Sequence, residues 1–333
     1  MGSSGEAYQH TLKHSVSCYG VGLHTGRTVN LTIRPAPINT GIRFFRSDAV
    51  DRTVISARVE NVVDTRLATT IGHNGHQIST TEHLMAAFCG VGIDNAEIDI
   101  DSHEVPIMDG SAKPFICLLK KGGRQKQDAP RKMLRVTRPI SYAEEGKSIR
   151  VEPCDGFRIT GRIHFDNELI DEQTYTMDFD SEKFCREIAS ARTFGFVEQV
   201  EYLWENGLAL GGTLDNTIAI HWDRKSILNE DGLRFHDEFV RHKVLDLVGD
   251  LMLLGTPLLG HVIADRSGHG LHFGLMQTIA ANPQCWEYVE YKKKQGKTIL
   301  QKAVKTTKAA GHCLTPFFTP GGSAVIQRQA CAV

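Results

Sequence analysis

The chain reads as an α+β protein of two domains of similar topology, and three observations predict it. Its 333 residues exceed what one hydrophobic core usually organises. The segment KKGGRQKQDAPRK at 120–132, rich in charge, Gly and Pro, interrupts the apolar patterning and marks the best boundary. On each side of it, strand patterns surround a helix with a histidine near its start, as a duplicated α+β unit would. The expected domains are residues 1–125 and 126–333. Identity between the halves is low, and no short-period repeat occurs.

In the first half, Val29, Leu31 and Ile33 alternate with polar neighbours, a strand pattern that closes at Pro35 and Pro37. STTEHLMAAFCGVGIDN begins with Ser79 and Thr80, spaces Leu84, Phe88 and Val91 on one face, and ends in Gly90 and Gly92. It reads as a helix with an N-cap signal and a glycine stop. Ala96, Ile98 and Ile100 form the next strand. In the second half Ile159, Gly161, Ile163 and Phe165 alternate. A helix is predicted from about Asp237 to Leu254, and a strand around Leu258 to Ala264. Thr193 to Asn216, with Gly195, Gly207, Gly211 and Gly212, reads as an insertion with mobile joints.

Composition narrows the function classes. Lys plus Arg (38) nearly balances Asp plus Glu (39), for a net charge of −1. That balance gives no electrostatic case for a nucleic-acid or anionic-membrane partner. The first fifteen residues lack a signal-peptide core, and the longest apolar runs are broken by charge, so no stable membrane insertion is expected. None of the eight cysteines forms a C-x-x-C pair, and reduced thiols in a cytoplasm are the simplest expectation. Fifteen histidines make a metal site worth seeking.

The predicted second helix, HKVLDLVGDLMLLG, is apolar over most of its circumference, yet His242, Asp246 and Asp250 recur along one side at i, i+4, i+8. An unpartnered buried carboxylate costs several kcal/mol, so two of them need compensation. One divalent cation could be reached by His242 and Asp246, and mixed nitrogen and oxygen ligation suits zinc. Asp250, a turn further on, is better placed to orient a histidine. A solvent-facing stripe paired with Arg241 or Lys243 has the same spacing.

Glu82 and His83 admit two readings as well. Ser79-x-x-Glu82 matches a capping box. Hydrolysis on zinc, however, needs three protein ligands, an open position and a nearby carboxylate base, and His83 with Glu82 would complete that set. Ser267-Gly268-His269-Gly270 follows a strand and could present an imidazole on a sharp turn. Held by Asp250, His269 would be cationic near neutral pH and suited to an oxyanion or a leaving amine. As an ordinary turn residue it would sit in solvent. GVGLHTGRT is out of register for a phosphate loop and has Arg27 where Lys is needed. Gly90-Val91-Gly92 ends a helix, so it is no dinucleotide fingerprint. There is no G-x-S-x-G elbow.

Together, STTEHLMAAFCGVGIDN, IMDGSAKPF, ARTFGF, LNEDGLRFHDEFVRHKVLDLVGDL and the SGHG turn closely resemble the UDP-3-O-acyl-N-acetylglucosamine deacetylase family of lipid A biosynthesis in Gram-negative bacteria. GVGLHTG and RPAPINTG agree, and the likeness runs from about residue 10 to 290. It implies a zinc enzyme that removes acetate from an acylated UDP-sugar, with ferrous iron able to occupy the same ligands. It also implies two layered sheet-and-helix sandwiches with the active site between them.

Carried onto this chain, the resemblance implies His83, His242 and Asp246 as ligands, Glu82 as general base and His269 as the cationic histidine, supported by Asp250. Thr193 matches the threonine beside the water or oxyanion, and Lys243 a substrate-contacting lysine. Phe194, Val200, Ala209, Thr213 and Ala219 match the wall of an acyl passage, and Phe157 the uracil-stacking aromatic. His24 of the HTG motif receives no role. Two rivals use the same residues: a non-haem iron oxygenase, and a sugar-nucleotide-binding protein whose structural metal has a fourth protein ligand. Ala330-Cys331-Ala332-Val333 could serve a regulatory protease as a handle; simple terminal disorder is the plainer reading.

Overall fold

The computed structural model describes residues 6–49, 53–294 and 297–302. The C-terminal tail therefore lies outside the described residues. The first half begins with β1 (Tyr8–Leu12), β2 (Val16–Val21), β3 (Thr28–Pro35), β4 (Ile42–Arg46) and β5 (Val54–Ser56). A small sheet of β6 (Val62–Asp64), β7 (Thr70–His73) and β8 (His76–Ile78) follows. Then come α1 (Glu82–Val91), β9 (Ala96–Ile100), α2 (Lys113–Gly122) and β10 (Arg124–Pro130).

The second half runs through β11 (Lys132–Val136), β12 (Ile140–Glu144), β13 (Lys147–Glu152), β14 (Phe157–His164) and β15 (Glu172–Asp178). Next are α3 (Ser181–Glu187), β16 (Phe194–Phe196), α4 (Val200–Glu205) and β17 (Ile218–Ile220). It closes with α5 (Glu238–Leu251), β18 (Leu258–Asp265), α6 (His269–Ala281), β19 (Trp286–Lys294) and β20 (Lys297–Lys302).

The two halves repeat one topology. The first sheet has the order β2-β3-β9-β4-β5, with β9 antiparallel to β3 and parallel to β4. In the second, β18 plays the part of β9: it is antiparallel to β13 and parallel to β14, with β12 and β15 outside them. One helix precedes and one follows each central strand, α1 and α2 in the first half, α5 and α6 in the second. The architecture is α+β, as the alternating patterns predict, and the duplication resides in topology.

Local rules account for the elements that carry the site. β3 buries Val29, Leu31 and Ile33 and turns the residues between them away from the core, the period of two read from the sequence. α1 stops at Gly92, whose φ of 74° is left-handed and open to glycine without a Cβ penalty. The predicted capping box does not form. Ser79 bridges to Glu104 and its hydroxyl accepts from Thr70, so Thr81 is the N-cap, its side chain making no capping bond, and Glu82 is the first helical residue. The charged segment at the boundary is partly a strand, β10, which pairs with β1.

α1 and α5 pack against each other in one core that draws on both halves, including Leu84, Phe88, Val244, Leu245 and Val248. The approach is close enough that a Cβ on Gly249 would collide with the carbonyl oxygen of Glu82. This contact brings the starting turn of α1 beside the polar stripe of α5. No helix among the described residues is long and apolar enough to cross a membrane.

Candidate active site

The stripe on α5 is buried. His242, Asp246 and Asp250 are each at most 2% exposed, and Glu82 and His83 only 3%. His83 Nε2 and His242 Nε2 both stand 3.4 Å from Asp246 Oδ1. Metal–ligand distances of roughly 2.0–2.1 Å at a tetrahedral centre place donors about 3.3–3.4 Å apart, so these two distances fit residues that could hold a metal. Asp246 Oδ1 is buried without a hydrogen-bond partner, as a ligand oxygen awaiting a cation would be. The Nδ1–H of His242 donates to the Ala191 carbonyl at 3.1 Å, which leaves the Nε2 lone pair facing the cluster.

Electrostatics agree with that donor set. Burial drives His242 down to about 3, despite the charge of Asp246, so its imidazole is neutral. Burial opposes ionisation of Asp246, but His242 and Lys243 outweigh it and hold the carboxyl well below its usual range. Lys243 pairs with Asp246 Oδ2 at 3.1 Å, as the solvent-stripe reading would have it, whereas Arg241 turns to Asp237. Pairing with Lys243 does not expose the stripe, because Asp246 stays buried.

Beside the three donors lies a second constellation. His269 is the first residue of α6, so the glycine-flanked segment is a helix start, not a solvent turn, and the imidazole is buried. Its Nδ1 donates to Asp250 Oδ2 at 2.7 Å, and its Nε2 stands 4.0 Å from Glu82 Oε1. Burial would lower His269, but the charge and hydrogen bond of Asp250, with Glu82, raise it to about 9. Asp250, penalised by burial, is nonetheless lowered to about 2 by His269 and His272. Glu82 is pushed up by burial, against the pull of His269 and His83. A carboxylate with raised affinity for protons thus faces an imidazolium.

The remaining predicted residues divide. Phe194 packs edge-on against His242 at 6.2 Å between ring centroids, and the Lys243 ammonium lies over its ring, 5.4 Å from the centroid. Thr193, just before it, is fixed by its amide to Gly110 and its carbonyl to Ile218. Ala219 lies on β17 opposite Gly195, Val200 opens α4, and Ala209 donates its amide to His24 Nδ1 at 3.4 Å. These are half-buried, and Thr213 is exposed. Phe157 goes elsewhere: its ring stacks near Phe179, beside a cleft lined by Met133, Val248, Leu251 and Pro257.

Several residues escaped sequence reasoning. His272 donates Nδ1–H to Asp250 Oδ2, a partnership hidden because SGHG reads as a turn and an i, i+3 pair is sought only on a helix. Thr69 bonds both to Glu82 and to Asp250, from a loop with no periodic signal. Glu104, fully buried, accepts from the His24 and Thr25 amides and from the Thr25 and Thr80 hydroxyls, which pins the HTG loop to the site. Phe165 packs on Phe194 and Phe196.

Known proteins match along most of the chain. The sequence model of the family described as UDP-3-O-acyl N-acetylglycosamine deacetylase, LpxC, matches residues 9–281. A UDP-3-O-acyl-N-acetylglucosamine deacetylase of Methylococcus capsulatus is 49% identical over 285 residues, 85% of this chain and 93% of the relative. The protein of the same name from Oleidesulfovibrio alaskensis is 49% identical over 280 residues, covering 84% and 90%. That of Nitratidesulfovibrio vulgaris is 50% identical over 274 residues, covering 82% and 88%. With a family match over residues 9–281 and relatives near half identity, the chain belongs to the UDP-3-O-acyl N-acetylglycosamine deacetylase family.

Proposed function

We propose that the chain hydrolyses the N-acetyl amide of a UDP-3-O-acyl-N-acetylglucosamine, releasing acetate in lipid A biosynthesis, with zinc held by His83, His242 and Asp246. The observation that carries this reading is the convergence of three buried donors beside an opposed Glu82–His269 pair. Burial gives Glu82 a raised affinity for protons, as suits a base, and Asp250 keeps His269 cationic, as suits an acid. Three donors converge at the His83, His242 and Asp246 cluster, whereas a closed structural site has four. An oxygenase would leave Glu82 and His269 without a shared task.

Bound zinc would polarise the acetamide carbonyl and lower the pKa of a water beside it. Glu82 is placed to take a proton from the attacking water as its oxygen bonds to the carbonyl carbon and the C=O π pair moves onto oxygen. The His269 imidazolium and Thr193 stabilise the charge that develops on the carbonyl oxygen. As the C–N bond breaks, the proton on Glu82 or that on His269 Nε2 passes to nitrogen, and acetate and the free amine leave. Lys243 and the acyl-passage residues Phe194, Val200, Ala209, Thr213 and Ala219 position substrate in this reading. It includes Phe157 as the uracil contact, although its ring is at the Phe179 cleft. The boundary at 125/126 and the cytoplasmic setting, where the thiols of six described cysteines stay reduced, complete it. Glu82→Ala is expected to lose about 100- to 10,000-fold in acetate release with zinc still bound. Wild-type turnover by that variant would remove Glu82 from the role.

A further inference from the structure

Acid and base sit on different halves of the molecule, Glu82 on α1 and His269 on α6, and one side chain outside both helices touches the supports of each. Thr69, 2% exposed, immediately precedes β7. Its amide donates to Glu82 Oε2 at 3.1 Å, the one protein hydrogen bond to that carboxylate among the described residues. Its hydroxyl donates to Asp250 Oδ1 at 2.6 Å and lies 3.1 Å from His269 Nδ1. Its carbonyl accepts from the Thr81 amide and hydroxyl, at 3.3 and 3.1 Å, so residue 69 is itself anchored to the N-cap of α1.

We propose that Thr69 is a positioning residue that sets the spacing of the acid–base pair, by holding Glu82 through its backbone and Asp250, hence His269, through its hydroxyl. Hydrogen-bond accounting makes the arrangement directional. Asp250 Oδ2 is occupied by His269 and His272, so Oδ1 depends on Thr69. The Thr69 hydroxyl has one hydrogen to donate, and the Asp250 carboxylate 2.6 Å away accepts that bond. With both oxygens engaged, the carboxylate plane cannot rotate, and the imidazole bonded to it is aimed at Glu82. The backbone bond to Glu82 is insensitive to side-chain identity, whereas the bond to Asp250 is not.

The inference rests on the acid–base reading of Glu82 and His269, and the test separates the two. Thr69→Val keeps the shape and removes the hydroxyl; Thr69→Ser keeps the hydroxyl and removes the methyl. Positioning through the hydroxyl predicts that Val lowers kcat by about 10- to 100-fold, as loss of a hydrogen bond to a buried charge does. KM should stay within about threefold of wild type, with zinc content unchanged, and Ser should restore most of kcat. In an Asp250→Ala background, Thr69→Val should cost less than about twofold more, because its partner is gone. A merely packed threonine predicts otherwise: Val benign and Ser impaired, or a Val loss that is just as large in the Asp250→Ala background. That pattern, with Glu82→Ala and His269→Gln still impaired, overturns the inference alone. Wild-type kcat in those two variants overturns the acid–base reading and this inference with it.

Discussion

His269 and His272 share a single acceptor: each donates its Nδ1–H to Asp250 Oδ2 at 2.7 Å. For His269 this fixes the tautomer, since the proton on Nδ1 is held and Nε2 becomes the atom that gains and loses one. Asp250 is therefore the group on which the charge of His269 depends. Burial opposes the imidazolium, and the Asp250 carboxylate is the first influence that offsets it. Asp250→Asn removes the charge and keeps the size. The alkaline limb of its kcat/KM profile is expected to move to lower pH, with turnover at pH 8 reduced by about 10-fold or more. An unmoved limb would separate the two residues functionally.

Stability should carry the same signature. His269 has a folded-state value of about 9, above the ordinary 6.5 it takes in an unfolded chain. A group whose affinity for protons rises on folding stabilises the protein fully below its unfolded value. That contribution is lost as pH rises through the folded value. In metal-free protein, melting temperature should fall between pH 6.5 and 9. His269→Gln should flatten this decline, and an identical decline in the variant would contradict the assignment.

The contact between α1 and α5 gives a prediction about packing. Gly249 lies against the Glu82 backbone, and an added methyl would meet a carbonyl oxygen that cannot move without shifting the helix. Gly249→Ala would ordinarily stabilise a helix by about 1 kcal/mol. Overpacking here should instead destabilise by about 1–3 kcal/mol, read as a lower urea midpoint with unchanged slope. Since the displaced atom belongs to Glu82, turnover should fall as well.

How much of this was legible in the sequence differs between elements for physical reasons. β3, β9, β14 and β18 have one face toward the core, so period-two alternation reveals them. α5 announces itself through a largely apolar circumference with a polar stripe at helical spacing. α1 was located, but not its cap: Ser79 is drawn into a bridge with Glu104, a tertiary partner that local pattern cannot reveal. His269 read as a turn because the glycine before it punctuates; in the fold Gly268 is the extended N-cap of α6. Thr69 and Glu104 are single polar residues in loops, bonded across 181 and 80 positions, and no spacing rule reaches that far. Phe157 is named through the family resemblance alone, and its β14 backbone directs it to the Phe179 cleft.

The central claim is that His83, His242 and Asp246 hold a metal without which the amide is not cleaved. Its most direct test is acetate release from UDP-3-O-acyl-N-acetylglucosamine by protein stripped with a chelator and then titrated with zinc or ferrous ion. Activity should be absent after stripping and return at one equivalent of metal, and Asp246→Ala should neither bind that equivalent nor recover. Full turnover by the stripped protein, or no recovery with any divalent ion, would contradict it.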